Sequence, residues 1–496
     1  MPSLQDILRQ EASQFGPTLA QAAFDKGLAV TAPDGSQRPI PVTATPIILS
    51  RAEIDRRVEA ARRISSAALK VARCVLRGEH RERILGALSP LERRVAEATW
   101  EGVEALATTR VDFFVSGGVP YALEVNATIP AMQGYSDMAA GAFLDVVGRH
   151  AGLDAGAILA LKEQNGSNAA ALLEALLSGY AAQRDGAAPR RILLLCRKND
   201  AQLSEQRYLA ARFSALGVEA EVVHPDELSG TDVVQARGKD WDLVYRHLFV
   251  RRLEEHPSPW VERFFADYRR FQTVLLNPPS AQVEVKAAFA LLSRALSEPS
   301  LSESARLTAE EQDAAARLVP WTRQLQAGPS VGPEGERVSD LLAHVAEEPS
   351  RFVIKRSWDY GGKAVFVGRA EGTPQFEERT RGAYGATLSW KELCARAAAD
   401  TKGGGFVVQQ FVDTRPEPHL LCTADGVQSK DLYVDYSAYA SVQPGPHPSW
   451  GAVVRGSVSQ IVNIVGGGGV LPLLTDGVAR ALFDAFARRD GAGTNG

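Results

Sequence analysis

One stretch constrains this chain more than any other: Arg110-Val-Asp112-Phe-Phe-Val-Ser-Gly-Gly-Val-Pro-Tyr-Ala-Leu-Glu124-Val-Asn126. Two apolar runs flanking Ser116-Gly117-Gly118 predict a β-hairpin. Its register decides what it can do. A loop with an odd number of residues centred on Gly118 sets Asp112 opposite Glu124 and Arg110 opposite Asn126. Alternate residues of a strand share a face, so the four side chains then project together. Opposed side chains lie about 5 Å apart, and like charges there destabilise a sheet. Two facing carboxylates and a carboxamide therefore suggest a bound cation, and such oxygen ligands suit Mg²⁺. A two-residue turn over Gly117-Gly118 would instead put Asp112 and Glu124 on opposite faces of an ordinary solvated hairpin.

The chain has 496 residues, 45% of them hydrophobic, which is enough for several domains around large cores. The formal net charge of -4 comes with no block of lysines and arginines, which removes electrostatic support for nucleic-acid binding. Cys74, Cys196, Cys394 and Cys422 have neither zinc spacing nor a disulfide framework, which fits a reducing cytoplasm. The N-terminus lacks a basic segment followed by an apolar one, and no run is apolar enough to span a membrane.

Local patterning predicts a mixed α/β (α+β) chain. Residues 1–109 read as an N-terminal helical region, with a helix near 3–26, a Pro-rich extended stretch, and two or three helices over 51–109. The hairpin occupies 110–140, and a helical segment follows over 141–187. The run Arg190-Arg-Ile-Leu-Leu-Leu-Cys196 is that of a buried parallel strand. With a helix near 203–216 and strands at 218–223 and 241–245, it predicts an α/β domain over 188–275. Arg197 and Arg246 fall at ends of these strands, where open α/β sheets place ligands. They are candidates for an acidic substrate or merely solvated strand ends. Residues 276–480 form a further domain containing a polar segment at 298–316 that is expected to be mobile, and 488–496 read as a frayed tail.

Within 276–480, Phe352-Val-Ile-Lys355-Arg-Ser-Trp-Asp-Tyr-Gly361-Gly362-Lys363 is a strand running into a glycine loop with two lysines. Such a loop can fold over phosphates, or be a plain hairpin with exposed lysines. It matches neither a Walker A nor a dinucleotide fingerprint. Gly405-Phe-Val-Val-Gln409-Gln410-Phe-Val412 is an apolar strand whose main chain could meet an adenine, with Glu417 beyond it as a ribose carboxylate. Alternatively, its glutamines satisfy buried backbone. Arg455 and Asn463 both end apolar runs.

Together these elements resemble the ATP-grasp superfamily. Arg110, Asp112, Glu124, Asn126, Pro130, Met132 and Ser136 are similar to the terminal segment of D-alanine–D-alanine ligases. Here Pro-Ala-Met, with one extra residue before it, replaces Pro-Gly-Met. Asn277-Pro-Pro-Ser with Lys286 resembles the entry to the nucleotide domain, and Val319-Pro-Trp-Thr322 one of its strands. The order differs, because the hairpin precedes the α/β domain and Lys355 instead of closing the chain. The whole therefore resembles the circularly permuted ATP-grasp proteins related to glutathionylspermidine synthetase, with an α/β (pre-ATP-grasp) domain ahead of the nucleotide domain.

That resemblance implies an ATP-dependent carboxylate–amine ligase forming an amide through an acyl phosphate, with release of ADP and phosphate. Asp112, Glu124 and Asn126 would hold Mg²⁺, as two ions. Lys286, Lys355, Gly361, Gly362, Lys363, Gln409, Gln410, Val412 and Glu417 would bind ATP. Arg110 and Arg455 would stabilise developing charge, and Ser136, Arg197, Arg246 and Asn463 would contact substrate. The partners implied are a small-molecule or peptide acid and an amine. The helices over 51–109 would cover the site, form a homodimer or bind a peptide. An ATP-grasp kinase and a non-catalytic nucleotide-binding protein are the other classes open to this fold.

Overall fold

The computed structural model describes all residues except 1–2, 79–80, 104, 280–283, 360, 444–450, 463–467 and 494–496. Along the chain, helix α1 (Leu4–Asp25) leads to a short strand β1 (Val42–Thr43) and the long helix α2 (Arg51–Arg77). The hairpin strands β2 (Leu106–Ser116) and β3 (Val119–Asn126) precede helix α3 (Gln133–His150). Next come β4 (Arg191–Leu195), α4 (Leu203–Ala215), β5 (Glu219–Val223), β6 (Leu243–Arg246) and β7 (Val274–Leu276). Helices α5 (Lys286–Ala295) and α6 (Ala309–Leu318) lead to β8 (Thr322–Gln324), β9 (Phe352–Arg356), β10 (Val365–Val367) and β11 (Phe406–Gln410). The chain then runs through β12 (Glu417–Thr423), β13 (Gly426–Val442), β14 (Ala452–Ser457) and β15 (Gly469–Leu471) to helix α7 (Asp476–Gly493).

Three sheets position everything of interest. The largest has seven strands in the order β12-β1-β15-β14-β13-β2-β3. Strand periodicity gives it two different faces. Val111, Phe113, Ala122, Val125, Ala438 and Val454 pack toward α2 and α5. Val42, Tyr439, Val453 and Val470 pack on the other side against α1, α3 and α7. The second sheet, β7-β6-β4-β5, is parallel throughout. The third, β8-β11-β9-β10, is antiparallel.

The N-terminal helical region also carries β1, which lies inside the large sheet, bonded to β12 and β15. Burial drives this: Val42 and Thr43 are fully enclosed. The segment 298–316 is mostly helical, over Pro299–Ser304 and α6, and Glu311 of α6 ties it to Lys70 and Ser66 of α2. Residues 488–493 continue α7.

The hairpin register is a finding in itself. Ser116 pairs with Val119, so the turn is the two-residue Gly117-Gly118. Both glycines take positive φ, 57° and 79°, as tight hairpin turns of the primed type require. The turn alone would have put Asp112 and Glu124 on opposite faces. A bulge at Leu123 shifts the ladder by one residue, so that Phe113 pairs with Ala122 but Asp112 with Glu124 and Arg110 with Asn126. Bulges re-aim side chains in this way beside functional sites.

Candidate functional site

A cleft of about 540 Å³ lies between the hairpin face, the glycine loop after β9 and the carboxyl edge of the parallel sheet. Residues of all three regions line it. Its floor is a set of charges on the α1-facing side of the large sheet. Arg110 donates to both Asp112 oxygens, from Nε at 2.7 Å and from Nη2 at 3.0 Å. Arg455 Nη2 donates to Asp112 Oδ2 at 3.0 Å and also to Asp435 Oδ2. Asn126 Nδ2 donates to Asp112 Oδ2 at 3.3 Å. Burial by itself would raise the Asp112 pKa, but Arg110 and Arg455 outweigh it and hold the carboxyl well below the usual range. Asp435 is pushed up to about 6, because burial and the neighbouring Asp112 outweigh its attraction to Arg455.

Glu124 is placed differently. Its side chain keeps 31% of its surface, and Oε2 lies 3.4 Å from Lys286 Nζ. Burial opposes its ionisation, and Lys286 reverses that, so its pKa lies below the usual value. Lys286 also donates to Asp359 O at 3.0 Å, at the base of the glycine loop. Lys355, on β9, donates to Gln409 Oε1 at 2.8 Å. Burial pushes its pKa down to about 8, against the pull of Glu124. In the loop, Gly361 and Gly362 both take φ of 69°. A Cβ on Gly362 would stand 2.6 Å from Ile461 Cγ2, so the loop touches the segment after β14 across the cleft.

The cleft thus gathers Arg110, Asp112, Glu124, Asn126, Lys286, Lys355, Gly361, Gly362, Lys363, Gln409, Gln410, Val412, Arg455 and Arg197. The amides of Gln410 and Phe411 are spent on Trp321 O and Arg351 O. Three expected residues stand elsewhere. Arg246 is 1% exposed and donates to Asn277 O, Leu248 O and Pro278 O, holding a turn instead of a substrate. Ser136 is buried on α3 and donates to Ala452 O. Glu417 is exposed at the start of β12, away from the cleft lining. Asn463 lies outside the described residues.

Four carboxylates that the sequence did not single out also line the cleft, Asp200, Glu284, Asp359 and Asp435, and two of them stand against the hairpin or its arginines. Asp435 alternates with Ser437 on β13, a period-two polar pattern that would have revealed it. Glu284 accepts from the amides of Ala127 and Thr128, just after Asn126, and burial pushes its pKa up to about 7. Asn277 also serves the hairpin. Its side chain accepts from Ala107 N and donates to Ala127 O, closing the hairpin's open end.

Among the described residues no group of three or more Asp, Glu, His or Cys side chains is set to hold a metal. The expected trio of Asp112, Glu124 and Asn126 shares one face, but guanidinium groups already saturate Asp112. This donor set fits a hard cation that brings phosphate oxygens with it, with Glu124 as the readily available carboxylate. No helix of the described residues is long and apolar enough to cross a membrane.

No family profile matches the sequence, and no curated protein does. Among solved structures, the chain is similar to a glutathione synthetase-like effector from Globodera pallida in its apo form. The TM-score is 0.61 at 12% identity, over 94% of this chain and 97% of that one. The likeness shows a shared mixed α/β fold from end to end. A protein described as a γ-glutamylcysteine synthetase from Methylobacillus flagellatus aligns at a TM-score of 0.36 and 12% identity, over 76% of this chain and 81% of that one, too weakly to carry an argument.

Proposed function

We propose that this protein is an ATP-dependent ligase that joins a carboxylic acid to an amine, built on a circularly permuted ATP-grasp fold. The observation that carries the reading is one cleft with two kinds of wall. Lys286, Lys355 and the Gly361-Gly362 loop supply ammonium groups and bare backbone, and the hairpin face with Arg110, Asp112, Glu124, Asn126 and Arg455 supplies carboxylates and guanidinium groups beside them. The permutation is supported by the large sheet, where the early strands β2 and β3 continue the order β15-β14-β13. The similarity to a glutathione synthetase-like protein favours a peptide-forming reaction. The unpaired cysteines agree with a reducing cytoplasm.

In this reading Lys286 and Lys355 hold the nucleotide's phosphate oxygens. The glycine loop closes over them and excludes water, which protects an acyl phosphate from hydrolysis. Glu124, Asn126 and a released Asp112 would hold Mg²⁺, which neutralises phosphate charge when bound. Arg110 and Arg455 stabilise negative charge as the carboxylate is phosphorylated and as the amine attacks. Arg197, at the carboxyl edge of the parallel sheet, is the nearest candidate for a second group of the acid.

The test is ADP and phosphate release from Mg²⁺–ATP across pooled amino acids, peptides and polyamines, with mass spectrometry of the products. Equal ADP and phosphate, with a product at acid plus amine minus water, is the expected result. A phosphorylated product without free phosphate would make the protein a kinase instead.

A further inference from the structure

Arg455 is held in an uneven way. Its Nη2 carries two hydrogens yet faces three acceptors: Asp112 Oδ2 at 3.0 Å, Asp435 Oδ2, and Ser437 Oγ at 3.2 Å. Its Nε is buried and has no hydrogen-bond partner among the described residues. The residue is 8% exposed. A buried guanidinium that over-commits one nitrogen and leaves another idle is shared between positions, since an unpartnered buried donor is costly.

The sheet explains the sharing. Asp435 on β13 stands directly opposite Arg455 on β14, and Ser437 stands opposite Asp112 on β2. Ser437 Oγ donates to Asp435 Oδ1 at 2.9 Å and fixes that carboxylate toward Arg455. Arg455 thus sits between one acid that belongs to the ligand-facing hairpin and one that does not. Asp112, for its part, already accepts two hydrogen bonds from Arg110 and so keeps a counter-ion if Arg455 leaves.

We propose that Asp435 is a positioning residue that takes over Arg455 when Asp112 engages the nucleotide's divalent cation. The two arginines and two aspartates then form a preset charge store, with Arg455 occupying the cation's place on Asp112 until nucleotide arrives. The inference rests on the nucleotide-site reading above. Without Asp435, Arg455 has only Asp112 as a charged partner, and a cation must compete with it for that carboxylate.

The experiment is Mn²⁺ binding to the full chain in the presence of AMP-PNP, followed by electron paramagnetic resonance, with AMP-PNP affinity measured separately without metal. Asp435→Asn is expected to weaken Mn²⁺ about tenfold while leaving metal-free AMP-PNP affinity unchanged. Glu284→Gln neutralises another cleft carboxylate away from Arg455 and is expected to weaken Mn²⁺ less than about threefold. In ¹⁵N spectra of arginine side chains, Mg²⁺ with AMP-PNP is expected to shift the Arg455 Nε–H signal, assigned by its loss in Arg455→Lys. Equal Mn²⁺ affinity in wild type and Asp435→Asn, equal losses in Asp435→Asn and Glu284→Gln, or an unmoved Arg455 signal would each overturn the proposal. A wild type that binds neither nucleotide nor Mn²⁺ with it would instead remove the nucleotide-site reading itself.

Discussion

Two sets of buried arginines show what burial does to the same side chain in different company. Arg246, at the carboxyl edge of the parallel sheet, is surrounded by neutral backbone carbonyls. Burial there outweighs the pull of Glu284 and Glu92, neither of which bonds to it, and its pKa is pushed down to about 10. Arg110 is also buried, but Asp112 outweighs burial and holds its pKa above the ordinary value. The first guanidinium is a staple for a turn. The second belongs to a compensated charge cluster on a cleft floor, where an incoming anion or cation can exchange with its partners. What separates the two cases is whether a carboxylate bonds the guanidinium directly.

Glu124→Gln should cost the largest factor, at least roughly a thousandfold in ADP release, or about 4 kcal/mol. Its melting temperature should stay near wild type, because the side chain is partly exposed and holds no backbone. Retained activity would remove Glu124 from the chemistry. Arg110→Met should destabilise the fold by about 3–5 kcal/mol at pH 8, because two buried aspartates would then share Arg455 alone. The penalty should shrink toward pH 5, because an Asp112 without Arg110 has a raised pKa and can be neutralised by a proton. Urea unfolding at both pH values reads this directly.

Arg246→Met should cost about 3 kcal/mol through unpaired carbonyls, with a smaller change between pH 5 and pH 8 than Arg110→Met, because Glu284 and Glu92 act on it without bonding to it. A penalty as pH-dependent as that of Arg110→Met would mean that the Arg246 site is ionic after all. Glu205 of α4 sharpens the point from the acid side. It is fully buried, and burial raises its pKa to about 7 from an ordinary 4.5. The folded state therefore binds more protons than the unfolded state between these values. The stabilisation is complete below the unfolded pKa and is lost as pH rises through about 7. The loss amounts to about 3 kcal/mol, and unfolding curves of Glu205→Gln should lack that slope. The smallest effect expected is from Lys355→Ala, a rise in ATP KM of roughly 30-fold, or about 2 kcal/mol. An unchanged KM would take Lys355 out of the phosphate site.

The hairpin shows how far the residues could be read directly. The facing of Asp112 and Glu124 was legible from alternation and charge, but the loop that was to produce it was not. The turn is the two-residue form that by itself gives the wrong face, and the bulge at Leu123 corrects it. No local residue preference announces that bulge. The carbonyl of Leu123 meets Lys355 Nζ and Gln409 Nε2, each at 3.4 Å, so the bulge is tied to side chains more than two hundred residues away. Ser136 and Arg246 fall outside the cleft lining for a related reason. A polar group near a strand end or a helix start reads the same in sequence whether it faces ligand or backbone, and only packing chooses.

By itself the sequence determined the strands and helices, the parallel α/β domain, the lysine strand with its glycine loop, and the alternation that sets charged residues on one face of β2 and β3. These follow from period, turn chemistry and local propensity, which act over a few residues. The tertiary structure alone decided that β1 from the N-terminus enters the large sheet, that Asp435 and Arg455 meet Asp112, and that three sheets enclose one cleft. Those pairings join residues hundreds of positions apart. They are selected by burial of apolar faces and by the need of buried charges for partners, and neither can be evaluated until the chain has closed on itself.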